Sequence, residues 1–371
     1  MPGLSKTIVL LPGDGIGPEV VAAATAVLAD CATEFRHRFT LREFPVGGAA
    51  LDRAGAPLPP ETLAACREAD AILLGAVGGP RWDGLPLGRR PESGLLALRK
   101  ELELYVNLRP IRLCEPLAGI SPLKSADTRR IDLEIVRELA GGIYFGEHRT
   151  ERSNGLERAF DVEAYSTPEV ERVAEFAFAR AAARRRSLAS VDKANVLATS
   201  ALWRRTVERL AASHPEVAVS HLYVDNAALQ LLLAPEQFDV LLTSNMFGDI
   251  LSDAAAGLVG SIGLIPSMSW GAGPPLFEPI HGSAPQLAGQ DRACPLGAIL
   301  SASLMLREAF GLRQEADWVE TSVERVLARG YRTADIAEPG SVVVGCAEFV
   351  ARLREELRES PKQLEPYGWG V

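Results

Sequence analysis

The chain has 371 residues, 47% of them hydrophobic, and a net charge of −9 at pH 7. That is enough apolar material for a large core in two lobes, and an acidic surface excludes a protein built to grip a phosphate backbone. The five cysteines (Cys31, Cys66, Cys114, Cys294 and Cys346) are odd in number and far apart, with no C-x-x-C spacing. They read as thiols in a reducing cytoplasm and not as a disulfide framework or a zinc site. No charged leader opens the sequence, and no apolar run approaches the roughly 18 residues of a membrane helix. The expectation is a soluble cytoplasmic protein with neither a nucleic-acid nor a membrane partner.

Thr7 to Leu11 reads as a strand, Pro12-Gly-Asp-Gly-Ile-Gly17 as a glycine turn, and Pro18 to Ala32 as a helix. Leu41 to Val46 alternates like a second strand, Glu61 to Ala69 is a short helix, and Ala71 to Val77 is a buried strand closed by Gly78-Gly79. This alternation predicts an α/β fold with a largely parallel central sheet. Pro80 to Gly94 is a long loop rich in Gly, Pro and Arg, a length at which loops are often functional. Leu95 to Pro110 is an amphipathic stretch with Arg99 and Arg109 at its ends.

Further strands are expected at Ile131–Arg137, Leu188–Lys193, His221–Asp225 and Asp239–Thr243. Arg184-Arg-Arg186 follows an Ala-rich helical stretch and reads as a solvated helix end, where cations suit the dipole. Gly271 to Ala288 is rich in loop residues, and helices are expected near Leu296–Phe310 and Ala347–Arg358. The residues from Ser360 onward read as a loosely held tail. No linker separates two lobes, so a domain made of both chain ends around a central insert is as plausible as two sequential domains.

The strongest chemical signal is Asn245-Met-Phe-Gly-Asp-Ile-Leu-Ser-Asp253. On a helix, Asp249 and Asp253 share one face and repel each other by roughly 0.2–0.5 kcal/mol. A divalent ion between them would offset that, and carboxylates without His or Cys suit a hard cation, Mg²⁺ or Mn²⁺. The competing reading is a solvated acidic face, which the apolar neighbours Phe247, Ile250 and Leu251 disfavour. Asp225, next to a strand, is either a helix cap or a third carboxylate for that ion.

Arg99, Arg109 and Arg137 could hold a di- or tricarboxylate through bidentate guanidinium contacts, or could be ordinary surface ion pairs. Tyr144 lies between glycines in Gly141-Gly-Ile-Tyr-Phe-Gly146, as a proton donor beside a ligand or as a packed strand aromatic. Lys193 ends a strand pattern, where burial can lower a lysine's pKa and make it a general base. Gly13-Asp-Gly-Ile-Gly17 does not fit G-x-G-x-x-G. The small residues of Glu278-Pro-Ile-His-Gly-Ser-Ala-Pro285 offer backbone N–H groups for a pyrophosphate, with His281 beside an adenine or merely structural.

Together these motifs resemble the β-decarboxylating dehydrogenase family, over nearly the whole chain from Leu10-Leu-Pro-Gly-Asp-Gly-Ile-Gly-Pro-Glu19 to Arg332-Thr-Ala-Asp-Ile336. Gly94-Leu-Leu-Ala-Leu-Arg99 is similar to the family's isopropylmalate branch. The resemblance implies a two-domain fold that binds NAD without a Rossmann turn, with a cleft between its domains. Residues 1–104 and 260–371 would form the cofactor domain, and residues 105–259 a central domain with the interface of a homodimer.

The resemblance further implies that active sites are shared between protomers. Arg99, Arg109 and Arg137 would clamp the carboxylates of a hydroxy dicarboxylate. Asp249 and Asp253 would hold Mg²⁺ or Mn²⁺ with Asp225 of a second copy, which would also supply Lys193 as base for the C2 hydroxyl. Tyr144 would protonate the enol left after CO₂ departs.

Leu95, Leu96 and Val196 would receive a branched alkyl group, and Glu92 would repel a third carboxylate. The implied reaction is oxidative decarboxylation of 3-isopropylmalate on the route to leucine. Another 3-substituted malate is the alternative, since such a pocket discriminates by only about 1–3 kcal/mol per methylene. A catalytically silent ligand-binding paralog is disfavoured because base, proton donor and carboxylates are all present.

The adenosine end of NAD would meet Ile16, Glu278, His281, Gly282, Ser283 and Ala284. Two positions depart from the family pattern. Gln286 stands where an aspartate is usual; it can still bond a ribose but no longer repels a 2′-phosphate. Cys294 replaces an asparagine before Pro295 and loses an amide partner for adenine. No basic cluster compensates, so NAD stays the expected cofactor.

Overall fold

The protein is described here from a computed structural model that covers residues 3–123 and 131–360. The chain opens with β1 (Ser5–Gly13), α1 (Gly17–Phe35), β2 (Arg38–Glu43), α2 (Gly47–Ala54), α3 (Pro60–Glu68), β3 (Ala71–Ala76) and α4 (Pro91–Glu101). It continues with β4 (Leu104–Arg112), β5 (Asp132–Glu138), the hairpin β6 (His148–Ser153) and β7 (Leu156–Asp161), and α5 (Thr167–Ala183). Next come β8 (Ser187–Asp192), α6 (Ala198–Ala211), β9 (Ala218–Tyr223), α7 (Val224–Leu233), β10 (Val240–Thr243) and α8 (Asn245–Leu258). The last third holds β11 (Pro266–Gly271), β12 (Leu276–Pro279), α9 (Leu296–Leu304), α10 (Arg313–Ala328), β13 (Tyr331–Arg332), β14 (Val342–Val343) and α11 (Cys346–Glu359).

Two compact units result. One comprises Met1–Leu102, Leu113–Arg129 and Ala256–Val371; the other comprises Glu103–Arg112 and Arg130–Ala255. In the first unit the strands lie in the order β2-β1-β3-β12-β11. All pairs are parallel except β11 with β12. Every residue of β3 is buried, as expected of a central parallel strand covered on both faces. Helix α1 packs against α9 and α11, and Arg354 of α11 holds Asp30 of α1 through two hydrogen bonds of 2.6 and 2.9 Å.

In the second unit the order is β4-β5-β10-β8-β9. Strands β5, β10, β8 and β9 are mutually parallel, and β4 is antiparallel to β5. Ligands of such sheets collect at the carboxyl ends of the parallel strands. Arg137, Lys193, Asp225 and the start of α8 all lie at those ends of β5, β8, β9 and β10.

The expected α/β class is the observed one, and several local expectations shift. Leu95–Pro110 is not one amphipathic stretch: Arg99 closes helix α4, and Arg109 sits in strand β4 of the other unit. The segment read as loop-rich after Gly271 contains β12, preceded directly by β11. Gly47-Gly48 opens helix α2, and Trp82 packs where a side chain at Gly48 would lie.

Arg184 is no solvated helix end. Its guanidinium is buried against Asp132 and Asp239, at 2.9 and 2.8 Å. All five cysteines are buried thiols. No described helix is long and apolar enough to cross a membrane. The tail beyond Ser360 lies outside the described residues.

Candidate active site

The central unit gathers its charges through strand register. Arg137 of β5 faces Asn107 of β4 across the antiparallel ladder. Arg109, two residues from Asn107, therefore shares a sheet face with both. The Nε of Arg109 donates to Asn107 Oδ1 at 2.7 Å. On the other side, Thr243 of β10 stands opposite Arg137, and α8 begins two residues later.

Helix α8 is amphipathic in the required sense. Phe247, Leu251 and Ala255 are buried at i, i+4 and i+8. Asp249 and Asp253 occupy the opposite face. The Asp249 carboxylate accepts from Arg109 Nη2 at 3.2 Å, from Arg137 Nη1, and from the Tyr144 hydroxyl at 3.0 Å. Asp253 lies 3.5 Å from Arg109 Nη1.

Both guanidinium groups are almost fully buried, whereas the Asp249 side chain is 35% exposed. The carboxylates thus form the open mouth of a cationic floor. Two oxygen-donor side chains one turn apart, with no nitrogen or sulfur ligand beside them among the described residues, fit a hard divalent cation. Burial pushes the Asp253 carboxyl up, against the pull of Arg109.

Tyr144 is not a strand aromatic. It lies in the turn after β5, whose Ala140 and Gly141 N–H groups donate to the buried Glu138 carboxylate at 2.9 Å each. Burial, and then the Asp249 charge, push its phenol above the ordinary range. The group is held protonated, as a proton donor must be.

Lys193 and Asp225 form a second cluster. Strands β8 and β9 are paired to their last residues, Asp192 opposite Tyr223, so the residues that follow emerge side by side. Lys193 Nζ donates to Asp225 Oδ1 at 2.6 Å and lies over the Tyr223 ring. Asp225 stands in the first turn of α7, and the lysine hydrogen bond holds its carboxyl below the usual range. Within the chain Lys193 and Asp225 therefore pair with each other, and Asp249 is held by Arg109, Arg137 and Tyr144.

The first unit brings together residues 267 positions apart in sequence, Ile16 and Ser283. Ile16 N–H donates to the Ser283 carbonyl at 2.8 Å. Gly15 has φ of +60°, and a Cβ there would lie 1.9 Å from that carbonyl oxygen, so the close approach requires glycine. Asp14 anchors the turn, accepting N–H bonds of 2.7–2.8 Å from Gly48, Ala49 and Gly78. His281 is buried with its Nε2 unpartnered, and Nδ1 lies 2.9 Å from the Gly282 carbonyl. Burial pushes this imidazole toward its neutral form. An orphaned ring nitrogen beside a backbone-lined turn fits the heterocycle of a dinucleotide.

The remaining expected residues fall in the following places. Arg99 and Glu278, assigned to substrate and cofactor separately, form a buried 2.6 Å ion pair in the first unit. Leu95 and Leu96 are half-buried on α4, with Glu92 exposed one turn earlier and its carboxylate over Gly78. Val196 is 71% exposed, in the turn that follows Lys193. Gly282 and Gln286 are exposed, Ala284 takes the left-handed conformation, and Ser283 is buried. Cys294 is buried, its thiol pushed up to about 12 by burial. Asn245, Tyr165, Glu138 and Asp14 carry no chemical signal in the sequence; they act through backbone groups and, for Asn245, a distant guanidinium, which no residue spacing announces.

Residues 7–353 match the family model described as isocitrate/isopropylmalate dehydrogenase. The 3-isopropylmalate dehydrogenase of Nitratidesulfovibrio vulgaris is 55% identical over 357 residues, covering 95% of this chain and all of that protein. The enzyme of the same name from Bacillus subtilis is 53% identical over 337 residues, 90% of this chain and 92% of its own. Among solved structures, isocitrate dehydrogenase from Methylococcus capsulatus superimposes with a TM-score of 0.84 at 32% identity, covering 95% of this chain and 99% of that one. A β-decarboxylating dehydrogenase from Thermococcus kodakarensis gives 0.77 at 35% identity, with 95% and 96% coverage. With its acidic helix, its paired arginines and a match over nearly its whole length, the chain belongs to the isocitrate/isopropylmalate dehydrogenase family.

Proposed function

We propose that this chain is a 3-isopropylmalate dehydrogenase, oxidising and decarboxylating 3-isopropylmalate to 4-methyl-2-oxopentanoate in leucine biosynthesis. The observation that carries the reading is the convergence of Arg109, Arg137 and Tyr144 on Asp249. The 55% identity to a relative of that name, against 32% to an isocitrate dehydrogenase, favours the isopropylmalate branch. The proposed cofactors are NAD and Mg²⁺ or Mn²⁺, with Asp249 and Asp253 as ligands from one protomer and Asp225 from a second.

The dinucleotide supplies a hydride acceptor, and the cation supplies Lewis acidity at the substrate oxygens. The chain's own groups do the rest. Arg99, Arg109 and Arg137 hold the two carboxylates of the hydroxy acid. Lys193 Nζ, released from Asp225, accepts the C2 hydroxyl proton. Tyr144 Oη delivers a proton to C3 once CO₂ has left. Leu95, Leu96 and Val196 take the isopropyl group, while Glu92 disfavours a third carboxylate. Ile16, Glu278, His281, Gly282, Ser283, Ala284, Gln286 and Cys294 line the dinucleotide.

A homodimer with shared sites is part of the reading. Leu229, Leu232 and Leu233 of α7, Ile250 of α8 and Val196 are all exposed apolar side chains of the central unit, which a subunit interface would bury. A second copy would cover it and bring Lys193 and Asp225 to the Asp249 site. With no membrane-crossing helix among the described residues, the proposed location is the cytoplasm.

The test is an initial-rate assay with 3-isopropylmalate, isocitrate, homoisocitrate and D-malate, each with NAD or NADP, with and without Mn²⁺. Turnover of 3-isopropylmalate with NAD that disappears on chelation is expected. Turnover of a tricarboxylate alone would overturn the pocket assignment.

A further inference from the structure

We infer that Asn245 is a positioning residue for this reaction, one carboxamide that sets both the carboxylate clamp and the proton-donor turn. Its oxygen accepts from Arg137 Nε at 3.0 Å and from Arg137 Nη2 at 2.8 Å. Its nitrogen donates to the Gly141 carbonyl at 2.9 Å. A guanidinium only donates and a carbonyl only accepts, so the amide can stand in one orientation only. No carboxylate or aliphatic side chain of that size offers an acceptor to the first and a donor to the second at once, and a hydroxyl would have to do both from a single atom, where the amide uses two.

The residue is itself held. Its backbone N–H donates to the Tyr165 hydroxyl at 2.9 Å, and its side chain is buried. The Tyr165 ring fills the space above Gly141 and Gly142, where a Cβ on Gly142 would lie 2.4 Å from the phenolic oxygen. Glu138 fixes the same turn from beneath through the Ala140 and Gly141 N–H groups. The turn bearing Tyr144 is thus clamped between Tyr165, Glu138 and Asn245. The arginine that meets Asp249 is clamped by the same amide. Arg137 and Tyr144 are seven residues apart, and Asn245 makes one rigid body of them.

The inference rests on the proposed activity, and two substitutions separate its two hands. Asn245→Ala removes both contacts. Asn245→Asp keeps an acceptor for Arg137 and loses the donor to Gly141. For Asn245→Ala, KM for 3-isopropylmalate should rise about tenfold and kcat fall about tenfold or more. For Asn245→Asp, KM should stay within about threefold of wild type while kcat remains about tenfold down.

A purely structural role would lower the melting temperature without dividing the two constants between the variants. Wild-type kinetics in Asn245→Ala, or equal losses of KM and kcat in both variants, would overturn the inference. If Asn245→Ala does not fold, Asn245→Asp decides alone: lowered kcat with preserved KM supports it, and unchanged kcat refutes it. A wild-type protein that does not turn over 3-isopropylmalate refutes the proposed function and this inference with it. Active wild type with indifferent variants refutes the inference alone.

Discussion

The two units build their sites from different materials. In the first, the candidate dinucleotide region is mostly backbone: a glycine turn seated on the Ser283 carbonyl, three N–H groups converging on Asp14, and a neutral His281. In the central unit the site is made of side-chain charge: two buried guanidinium groups, two aspartates and a phenol. Backbone surfaces recognise shape and the phosphate groups common to many ligands. Paired charges act where charge develops during reaction. On the proposed function, the difference separates a region that binds from a region that reacts, and mutations should respect that division.

The sharpest way to break the division is Lys193→Met. Removing a general base costs about 10²–10⁴-fold in rate, so kcat for 3-isopropylmalate should fall by about 10³-fold. NADH binding, followed by nicotinamide fluorescence, should stay at the wild-type level. A variant that kept its turnover would take Lys193 out of the chemistry; one that lost NADH affinity to the same extent would show the two regions to be one.

The converse change is Gly15→Ala. A methyl group at φ +60° and 1.9 Å from the Ser283 carbonyl cannot be seated without moving that loop. We expect a loss of about 1–3 kcal/mol in unfolding free energy from backbone strain and a rise of about tenfold in KM for NAD. The KM for the hydroxy acid should change far less. Equal increases in both Michaelis constants would contradict a backbone-built cofactor site.

How much of this was legible follows the same line. Charge is visible in a sequence, so Asp249, Asp253, Arg109 and Arg137 could be picked out by residue type and spacing, and the strand register then placed them together. Arg99 was legible as a charge but not as the partner of Glu278, because a pair 179 residues apart leaves no local mark. Asp14 reads as one more residue of a glycine turn, and its three N–H partners come from α2 and the loop after β3. Arg184 is hidden for the same reason: three consecutive arginines resemble a wet helix end until Asp132 arrives from β5 and Asp239 from the residue before β10. Asn245 sits inside the most recognisable motif of the chain, yet what it holds is a carbonyl and a guanidinium more than a hundred positions earlier.

Asp14 and Glu138 offer the finest comparison between the units, since each is a buried carboxylate that accepts backbone N–H bonds, three in one case and two in the other. Burial pushes both above the ordinary carboxylate range, and the N–H bonds oppose the shift without cancelling it. A carboxyl whose folded pKa is raised holds its proton more tightly in the folded than in the unfolded chain. Its contribution to stability is then complete below the unfolded value, 4.5 for Glu138, and is lost as pH rises through the folded value. Glu138→Gln removes the charge at every pH but leaves one acceptor oxygen where Oε1 and Oε2 each accept an N–H. It should be less stable than wild type near pH 4.5 by about 1 kcal/mol for the lost bond, and should gain on wild type toward pH 7 by about 1.4 kcal/mol for each unit by which the folded pKa is raised. A Glu138→Gln chain that instead loses ground to wild type with rising pH would mean that the ionised carboxylate, with its two N–H donors and Arg172 at 3.8 Å, is the form the fold prefers. Burial would then not govern the central unit's carboxylate, and the parallel with Asp14 would fail.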